Sequence, residues 1–180
     1  MNTVKLNDKY FDLFISKKKI KKAVKKLAKQ IENDLDKDEV PIFMGVLNGS
    51  FMFVADFVRE YSFDCHLSFV KLTSYQGTNS TGKVKKLVGI NEDLKGKTVV
   101  ILEDIIDTGN TLEEIYNIFK NENLKQLKIA TLFFKPDVYK KDLQIDYKGI
   151  SIEDKFIVGY GLDYDGLGRN LPDVYQLKNV

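Results

Sequence analysis

Apolar residues recur along the chain with two different spacings. From Ser16 to about Leu35 they stand at every third or fourth position and lysines fill most of the rest, which predicts an amphipathic helix capped by Ser16. Further on, continuous apolar runs of strand length alternate with helical patterns, as in a parallel sheet with helices on both faces. The predicted strands are 40–47, 67–73, 87–90, 97–102, 127–134 and 156–160, and the further predicted helices follow Ser50 to about Tyr61 and cover 111–122.

Composition favours one α/β domain over the whole chain, 1–180. A chain of 180 residues with 43% hydrophobic content can build one core and is too short for two ordinary domains. Beyond Lys135 the alternation gives way to short pieces rich in Gly, Asp and Tyr. The apolar runs are of strand length, so we expect no membrane span.

The charge balance argues against a polyanionic partner. Lys and Arg number 28 against 26 for Asp and Glu, a net charge of +2. The lysines of the first helix occupy one face without interleaved aromatics, so we interpret them as a solvated face rather than a nucleic-acid site. Cys65 is the only cysteine and no secretory signal is apparent, which together favour a cytoplasmic protein. We expect Cys65 and the single histidine, His66, to be structural.

One stretch, VVILEDIIDTGNTL at 99–112, combines a strand with a possible anion site. Its loop lies at the carboxyl end of a predicted strand and opens a helix, the place where open α/β sheets bind ligands. The backbone N–H groups of 108–111, two threonine hydroxyls and the helix dipole could together hold a phosphate, and Gly109 would allow a close approach. The loop lacks the GxxxxGK[ST] pattern and its lysine.

The acidic pair Glu103 and Asp104 precedes this loop. Carboxylates beside a phosphate would be repelled by it, so they must contact something neutral or positive. Ribose hydroxyls can donate to a carboxylate pair, and Mg²⁺ binds carboxylates beside substrate phosphates. A phosphorylated ribose with magnesium satisfies both conditions. The alternative is that both residues are only turn and capping residues of the next helix.

The same stretch resembles the signature segment of the phosphoribosyltransferases, which bind 5-phosphoribosyl-1-pyrophosphate. The resemblance narrows to the hypoxanthine–guanine branch and runs from about Val40 to the end of the chain. It rests also on VLNGSFMFVADFVRE at 46–60, the Ser74–Tyr75 loop opening, FFKPD at 133–137 and DKFIVGYGLDYDGLGRNLPDVYQL at 154–177. It implies the type I fold, with a core at about 36–135 and a base-binding hood from about 136–180 plus the N-terminal segment. It also implies a homodimer or homotetramer.

The implied activity is magnesium-dependent purine salvage. The enzyme would transfer 5-phosphoribose from phosphoribosyl pyrophosphate to hypoxanthine or guanine, giving IMP or GMP plus pyrophosphate. By the resemblance, Glu103 and Asp104 bind the ribose hydroxyls and assist a magnesium ion, and Asp107 is the general base for the purine imidazole. The 5-phosphate would lie on Thr108, Gly109, Asn110 and Thr111.

The leaving pyrophosphate would face Asn48 and Gly49. Many members of the family carry Lys or Arg where this chain has Asn48, and we expect Arg169 to supply the missing cation. The alternative for Arg169 is a surface arginine in a glycine-rich tail. Ser74 and Tyr75 would open a polar lid loop that excludes water from the reactive sugar.

Base recognition would involve the last third of the chain. Phe156 would stack on the purine, although a single phenylalanine is also a common core residue. Lys135 would donate to the exocyclic oxygen at position 6, a contact that an adenine amino group cannot accept. The backbone of Ile157 and of a residue near Asp163 would face the other purine edge, and Asp163 would hold a second magnesium ion.

Two other functions stay open at this point. A regulatory protein that senses phosphoribosyl pyrophosphate and binds RNA or DNA could share the fold. Asp107, Lys135 and the 156–163 segment argue against it, since a sensor needs neither a general base nor a purine pocket. An enzyme that prefers xanthine is the other possibility.

Overall fold

Strands and helices alternate through most of the chain, and short strands end it. The computed structural model describes residues 2–73, 85–88 and 93–178. The helices are α1 (Lys17–Asp34), α2 (Phe51–Glu60) and α3 (Asn110–Phe119). The strands are β1 (Thr3–Leu6), β2 (Lys9–Ile15), β3 (Ile42–Leu47), β4 (His66–Thr73), β5 (Lys85–Val88), β6 (Thr98–Ile106), β7 (Gln126–Phe134), β8 (Tyr147–Ser151), β9 (Ile157–Val158) and β10 (Val174–Leu177).

The first predicted helix is confirmed, and its cap is the predicted serine. The backbone N–H of Lys19 donates to the Oγ of Ser16 at 3.4 Å. A hydroxyl in this position satisfies one of the amides that a helix leaves free at its start. The apolar positions spaced along α1 are all buried: Ile20, Val24, Leu27, Ala28 and Ile31.

A six-stranded sheet forms the centre of the protein, in the order β5-β4-β3-β6-β7-β8. The pairs from β4 to β8 are parallel and β5 pairs antiparallel with β4. Helices α1 and α2 pack on one face in one apolar cluster, and α3 packs on the other face in a second. The predicted fold class is therefore confirmed. Within the described ranges, no helix is long and apolar enough to cross a membrane.

Strand β6 extends four residues beyond its predicted end. It continues to pair with β7 as far as Ile106, which lies opposite Phe134. The acidic pair therefore stands inside a buried strand, and the interpretation as turn and capping residues is wrong. The helix that follows begins at Asn110, with Gly109 as its N-cap.

A second, four-stranded sheet joins the two ends of the chain in the order β1-β2-β10-β9. Strands β1 and β2 were not among the predicted elements. The last predicted strand, 156–160, shortens to Ile157–Val158 because Gly159 and Tyr160 have φ of 98° and 51°, which ends extended backbone. Both Ser74 and Tyr75 lie outside the described residues.

Candidate active site

The site lies at the carboxyl edge of the central sheet, where the loops after β3, β6 and β7 meet. A cavity of about 280 Å³ opens there, beside the end of β6. Parallel strands present their carboxyl ends at one edge, so residues far apart in sequence come together. The cavity is lined by Glu103, Ile105, Ile106, Asp107, Thr108, Gly109, Asn110, Thr111 and Leu112.

The acidic pair on β6 is buried, and no ion pair joins either carboxylate to a lysine or arginine of the described ranges. Only 5% of Glu103 and 8% of Asp104 is exposed. The backbone N–H of Ile105 donates to Asp104 Oδ1 at 2.9 Å, whereas Glu103 Oε2 has no hydrogen-bond partner among the described residues. Buried polar atoms rarely stay unpaired in proteins. The pair is therefore built to receive donors or a cation from a ligand.

Burial also changes the acidity of both groups. It raises the pKa of Glu103 well above its usual value, and repulsion from Asp104 adds to the effect. It raises the pKa of Asp104 to about 6, while the backbone N–H of Ile105 and the charge of Arg169 act in the opposite direction. The ligand that occupies this site must offset the cost of two like charges side by side.

Two glycines, Gly49 after β3 and Gly161 after β9, allow close backbone packing beside Asp104. A Cβ on Gly49 would stand 1.7 Å from Asp104 Oδ2, and a Cβ on Gly161 would stand 2.0 Å from the carbonyl oxygen of Gly49. Gly161 also has a φ of 100°. Neither position accommodates a side chain without displacing its neighbour. Asn48 itself is exposed, and the peptide bond between Leu47 and Asn48 is cis.

The loop after β6 has the geometry of an anion cradle. Gly109 adopts the left-handed conformation with a φ of 85°, and it caps α3 without a side-chain hydrogen bond from the described residues. The first amides of a helix have no intrahelical acceptor, so they are available to a ligand. Behind the loop, a Cβ on Gly109 would meet the ring of Tyr139 at 2.6 Å. Thr108, Asn110 and Thr111 are exposed.

Lys135 is buried at the end of β7 and pairs with two carboxylates. Its Nζ lies 3.3 Å from Asp107 Oδ2 and 2.9 Å from Asp154 Oδ1. The lysine side chain is 8% exposed, and those of Asp107 and Asp154 are 46% and 59% exposed. The structure thus brings the predicted base and the predicted purine contact together. Asp154 was not among the predicted site residues.

Phe156 is half exposed, so the interpretation as a core residue is wrong. Its ring centroid lies 6.3 Å from that of Phe11 and 6.0 Å from that of Tyr164. The Phe156 ring packs against these two rings, and its exposed fraction is 50%. The next residue, Ile157, is buried in β9.

Arg169 lies in the loop between β9 and β10, and its side chain is 31% exposed. Its guanidinium lies 2.6 Å from Asp163 Oδ1 and donates to the carbonyl oxygen of Gly161 at 2.7 Å. The other oxygen of Asp163 accepts from the N–H of Gly166. Gly161, which accepts from Arg169, lies against Gly49, and Gly49 lies against Asp104, so the Asp163–Arg169 pair stands at the same edge as the acidic pair.

Comparison with known proteins agrees with this geometry. The family model of the phosphoribosyl transferase domain matches residues 15–165. A hypoxanthine-guanine phosphoribosyltransferase of Staphylococcus epidermidis is 41% identical over 143 residues, covering 79% of this chain and 80% of that protein. The enzyme of the same name from Aquifex aeolicus is 36% identical over 175 residues, 97% and 98% of the two chains. The chain belongs to the hypoxanthine-guanine phosphoribosyltransferase family.

A solved structure supports the family at the level of the fold. The hypoxanthine-guanine phosphoribosyltransferase of Bacillus anthracis superposes with a TM-score of 0.85 at 42% identity, covering 93% of this chain and 98% of that one. The predicted resemblance is confirmed. The shared fold includes the small antiparallel sheet; Phe156 precedes its strand β9, and Asp163 and Arg169 lie between β9 and β10.

The acidic pair fits a magnesium ion whose remaining coordination positions are filled by the substrate of a hypoxanthine-guanine phosphoribosyltransferase. Within the described residues, no group of three or more His, Cys, Asp or Glu side chains converges on one point. Mg²⁺ commonly takes one or two carboxylates and completes its shell with substrate oxygens and water. The unpaired Oε2 of Glu103 and the adjacent Asp104 supply that donor set.

Proposed function

We propose that the chain transfers the 5-phosphoribosyl group from phosphoribosyl pyrophosphate to a 6-oxopurine, hypoxanthine or guanine, giving IMP or GMP and pyrophosphate. One observation carries this proposal: the Nζ of Lys135 and the carboxylate of Asp107 stand 3.3 Å apart beside the anion cradle. A purine of this class presents an exocyclic oxygen and an imidazole N–H, and this pair offers a donor for the first and an acceptor for the second.

The sugar would be held by the end of β6. Glu103 and Asp104 would accept from the 2- and 3-hydroxyls, which gives the unpaired Glu103 Oε2 its missing donor. The backbone amides and hydroxyls of 108–111 would bind the 5-phosphate at the start of α3. This arrangement would place C1 of the ribose opposite Asp107.

The chemical step would form the bond from the purine nitrogen to C1 and break the bond from C1 to the pyrophosphate oxygen. Asp107 would take the imidazole proton. General base catalysis of this kind contributes about two to four orders of magnitude in rate. The sugar passes through an oxocarbenium-like state. Glu103 and Asp104 would hold one magnesium ion and Asp163 a second, and the bound metal would supply charge neutralisation for the departing pyrophosphate. Arg169 and the amides after Asn48 and Gly49 would donate to the same group.

Selectivity would come from Lys135 and the hood. The ammonium of Lys135 can donate to a 6-oxo group and cannot accept from the adenine amino group, so adenine would set two donors against each other. Phe156 would stack on any base, with the backbone of Ile157 at the other purine edge. These contacts leave the order of preference among hypoxanthine, guanine and xanthine to measurement.

A spectrophotometric assay with phosphoribosyl pyrophosphate, magnesium and each of hypoxanthine, guanine, xanthine and adenine tests the proposal. We expect nucleotide formation with hypoxanthine or guanine and none with adenine. Xanthine as the fastest substrate would assign a xanthine enzyme instead. Binding of phosphoribosyl pyrophosphate without turnover of any base would favour a regulatory protein, whose nucleic-acid binding would fall steeply with salt.

Family membership also leads us to infer a cytoplasmic homodimer or homotetramer. Cys65 is compatible with a reducing compartment, since burial raises the pKa of its thiol and it has no second cysteine in the chain to pair with. Sedimentation equilibrium of the purified protein would distinguish the two assemblies from a monomer.

A further inference from the structure

The ammonium of Lys135 is shared unequally between two carboxylates. Asp154 Oδ1 lies 2.9 Å from Nζ, an ordinary charge-assisted hydrogen bond, whereas Asp107 Oδ2 lies 3.3 Å away, beyond the usual length of such a bond. Asp154 is therefore the main partner of a lysine side chain that is only 8% exposed. A buried ammonium requires a partner of this kind.

Asp154 also lies on the segment that carries the stacking ring. After β8 the chain is anchored by the N–H of Ile152, which donates to the carbonyl oxygen of Phe134 at 2.9 Å, and two residues past Asp154 it reaches Phe156. The ion pair thus connects this segment to the end of β7, where Lys135 follows Phe134. One carboxylate therefore contacts the ammonium and lies two residues from the ring along the chain.

We propose that Asp154 is a positioning residue for the purine site: it holds the Lys135 ammonium where the 6-oxo group is to be bound and keeps it from closing on Asp107. This inference rests on the function proposed above. Without Asp154, Asp107 is the only carboxylate left in contact with the ammonium among the described residues, so the two would draw together. The carboxylate that should accept the imidazole proton would then be occupied, and the donor for the 6-oxo group displaced.

The decisive variant is Asp154→Asn, with Glu153→Gln as its matched control. Glu153 is the neighbouring carboxylate, 78% exposed, and its contact with Lys155 is 3.8 Å long. Both substitutions remove one negative charge from the same segment, and only one of them touches Lys135. Asp154 is itself 59% exposed, so we expect both variants to fold, and their melting temperatures check this.

For Asp154→Asn we expect the KM for hypoxanthine to rise about tenfold and kcat to fall, with the KM for phosphoribosyl pyrophosphate within about twofold of wild type. Asp154→Glu, which keeps the charge, should recover part of the loss. Glu153→Gln should match wild type. A purely structural role for Asp154 would raise both KM values together and would overturn the proposal.

A double-mutant cycle with Lys135→Met separates an effect through Lys135 from an independent one. In the Lys135→Met background we expect Asp154→Asn to change kcat/KM for hypoxanthine by less than about twofold, because the partner on which it acts is gone. Losses that multiply would overturn the positioning role. An Asp154→Asn variant with unchanged constants, beside an active wild type, would overturn it too and leave the proposed function standing. An inactive wild type would instead refute the proposed function.

Discussion

Gly49 lies against the carboxylate of Asp104 so closely that a Cβ on the glycine would stand 1.7 Å from Oδ2. The loop after β3 and the acidic pair on β6 are therefore fitted to each other at van der Waals contact. The loop between β9 and β10 packs at the same place, since the α-carbon of Gly161 faces the carbonyl oxygen of Gly49. The proposed pyrophosphate, ribose and base sites thus share one small region of backbone.

Gly49→Ala should disrupt this region. The new methyl group would push Asp104 or its own loop away by more than an ångström, a displacement that can cost about a hundredfold in rate. We expect kcat/KM for phosphoribosyl pyrophosphate to fall by about that factor. Steady-state kinetics would measure it.

The control for this substitution is Gly96→Ala, before β6 at the opposite edge of the sheet. A Cβ there would meet nothing within 4 Å in the described part of the chain, so it adds only the strain of a φ of 69°. Gly96→Ala should lower the melting temperature and leave the kinetics unchanged. Normal kinetics in Gly49→Ala would contradict the close fit.

Asp107→Asn should keep substrate binding and lose most of the turnover. The amide has nearly the same shape and cannot take the imidazole proton, so we expect kcat to fall by about two to four orders of magnitude. Phosphoribosyl pyrophosphate binding, measured by calorimetry, should remain. Glu114→Gln, which removes an exposed carboxylate from α3, is the control. Near-normal turnover in Asp107→Asn would remove Asp107 from the base role.

Much of the fold could be predicted from the spacing of apolar residues. The α1 pattern and its Ser16 cap follow local rules of helix geometry, and continuous apolar runs mark the buried parallel strands. Strands β1 and β2 escaped prediction because Phe11 and Ile15 are their only buried residues, so no long apolar run marks them. Strand β2 pairs with β10 at the far end of the chain, a contact that no local pattern reveals, and β1 pairs with β2.

In the candidate site, too, local features could be predicted from the sequence and long-range contacts could not. The acidic pair and the Asp107 loop stand out because they come with a continuous apolar run that predicts a buried strand, and strand ends meet at one edge. The role of Lys135 was implied by the family resemblance. The contacts that fit these residues together are long-range. Asp154 lies 19 residues from Lys135, and Gly49 lies far from Asp104 along the chain. Their importance follows from distances between loops, which spacing does not encode.

The buried acidic pair should make the metal-free protein less stable as the pH rises. The pKa of Asp104 goes from 3.8 to about 6 on folding, because burial disfavours the charged form. Between these two values the unfolded chain loses a proton that the folded chain keeps, so the free energy of unfolding falls with pH. Above pH 6 the accumulated cost is about 3 kcal/mol.

Asp104→Asn removes this cost and should raise the free energy of unfolding above pH 6 by up to about 3 kcal/mol. The gain should shrink as the pH is lowered toward 4. Urea unfolding in EDTA from pH 4.5 to 7.5 would measure the difference, with Glu114→Gln, an exposed carboxylate on α3, as the control. The same Asp104→Asn variant should bind phosphoribosyl pyrophosphate more weakly. A difference that stays constant with pH would contradict the burial argument.

Phe156→Leu should weaken binding of the purine base and leave binding of phosphoribosyl pyrophosphate unchanged. The ring is half exposed beside Phe11 and Tyr164, and loss of an aromatic ring that stacks on a base costs about 1–3 kcal/mol. We therefore expect the KM for hypoxanthine to rise by about 5- to 150-fold. Tyr10→Leu is the matched control, since Tyr10 is also 50% exposed. Adjacent positions of a strand face opposite sides, so the Tyr10 side chain points away from Phe11. Equal effects of the two substitutions would mean that Phe156 acts through the stability of the hood and not through the base.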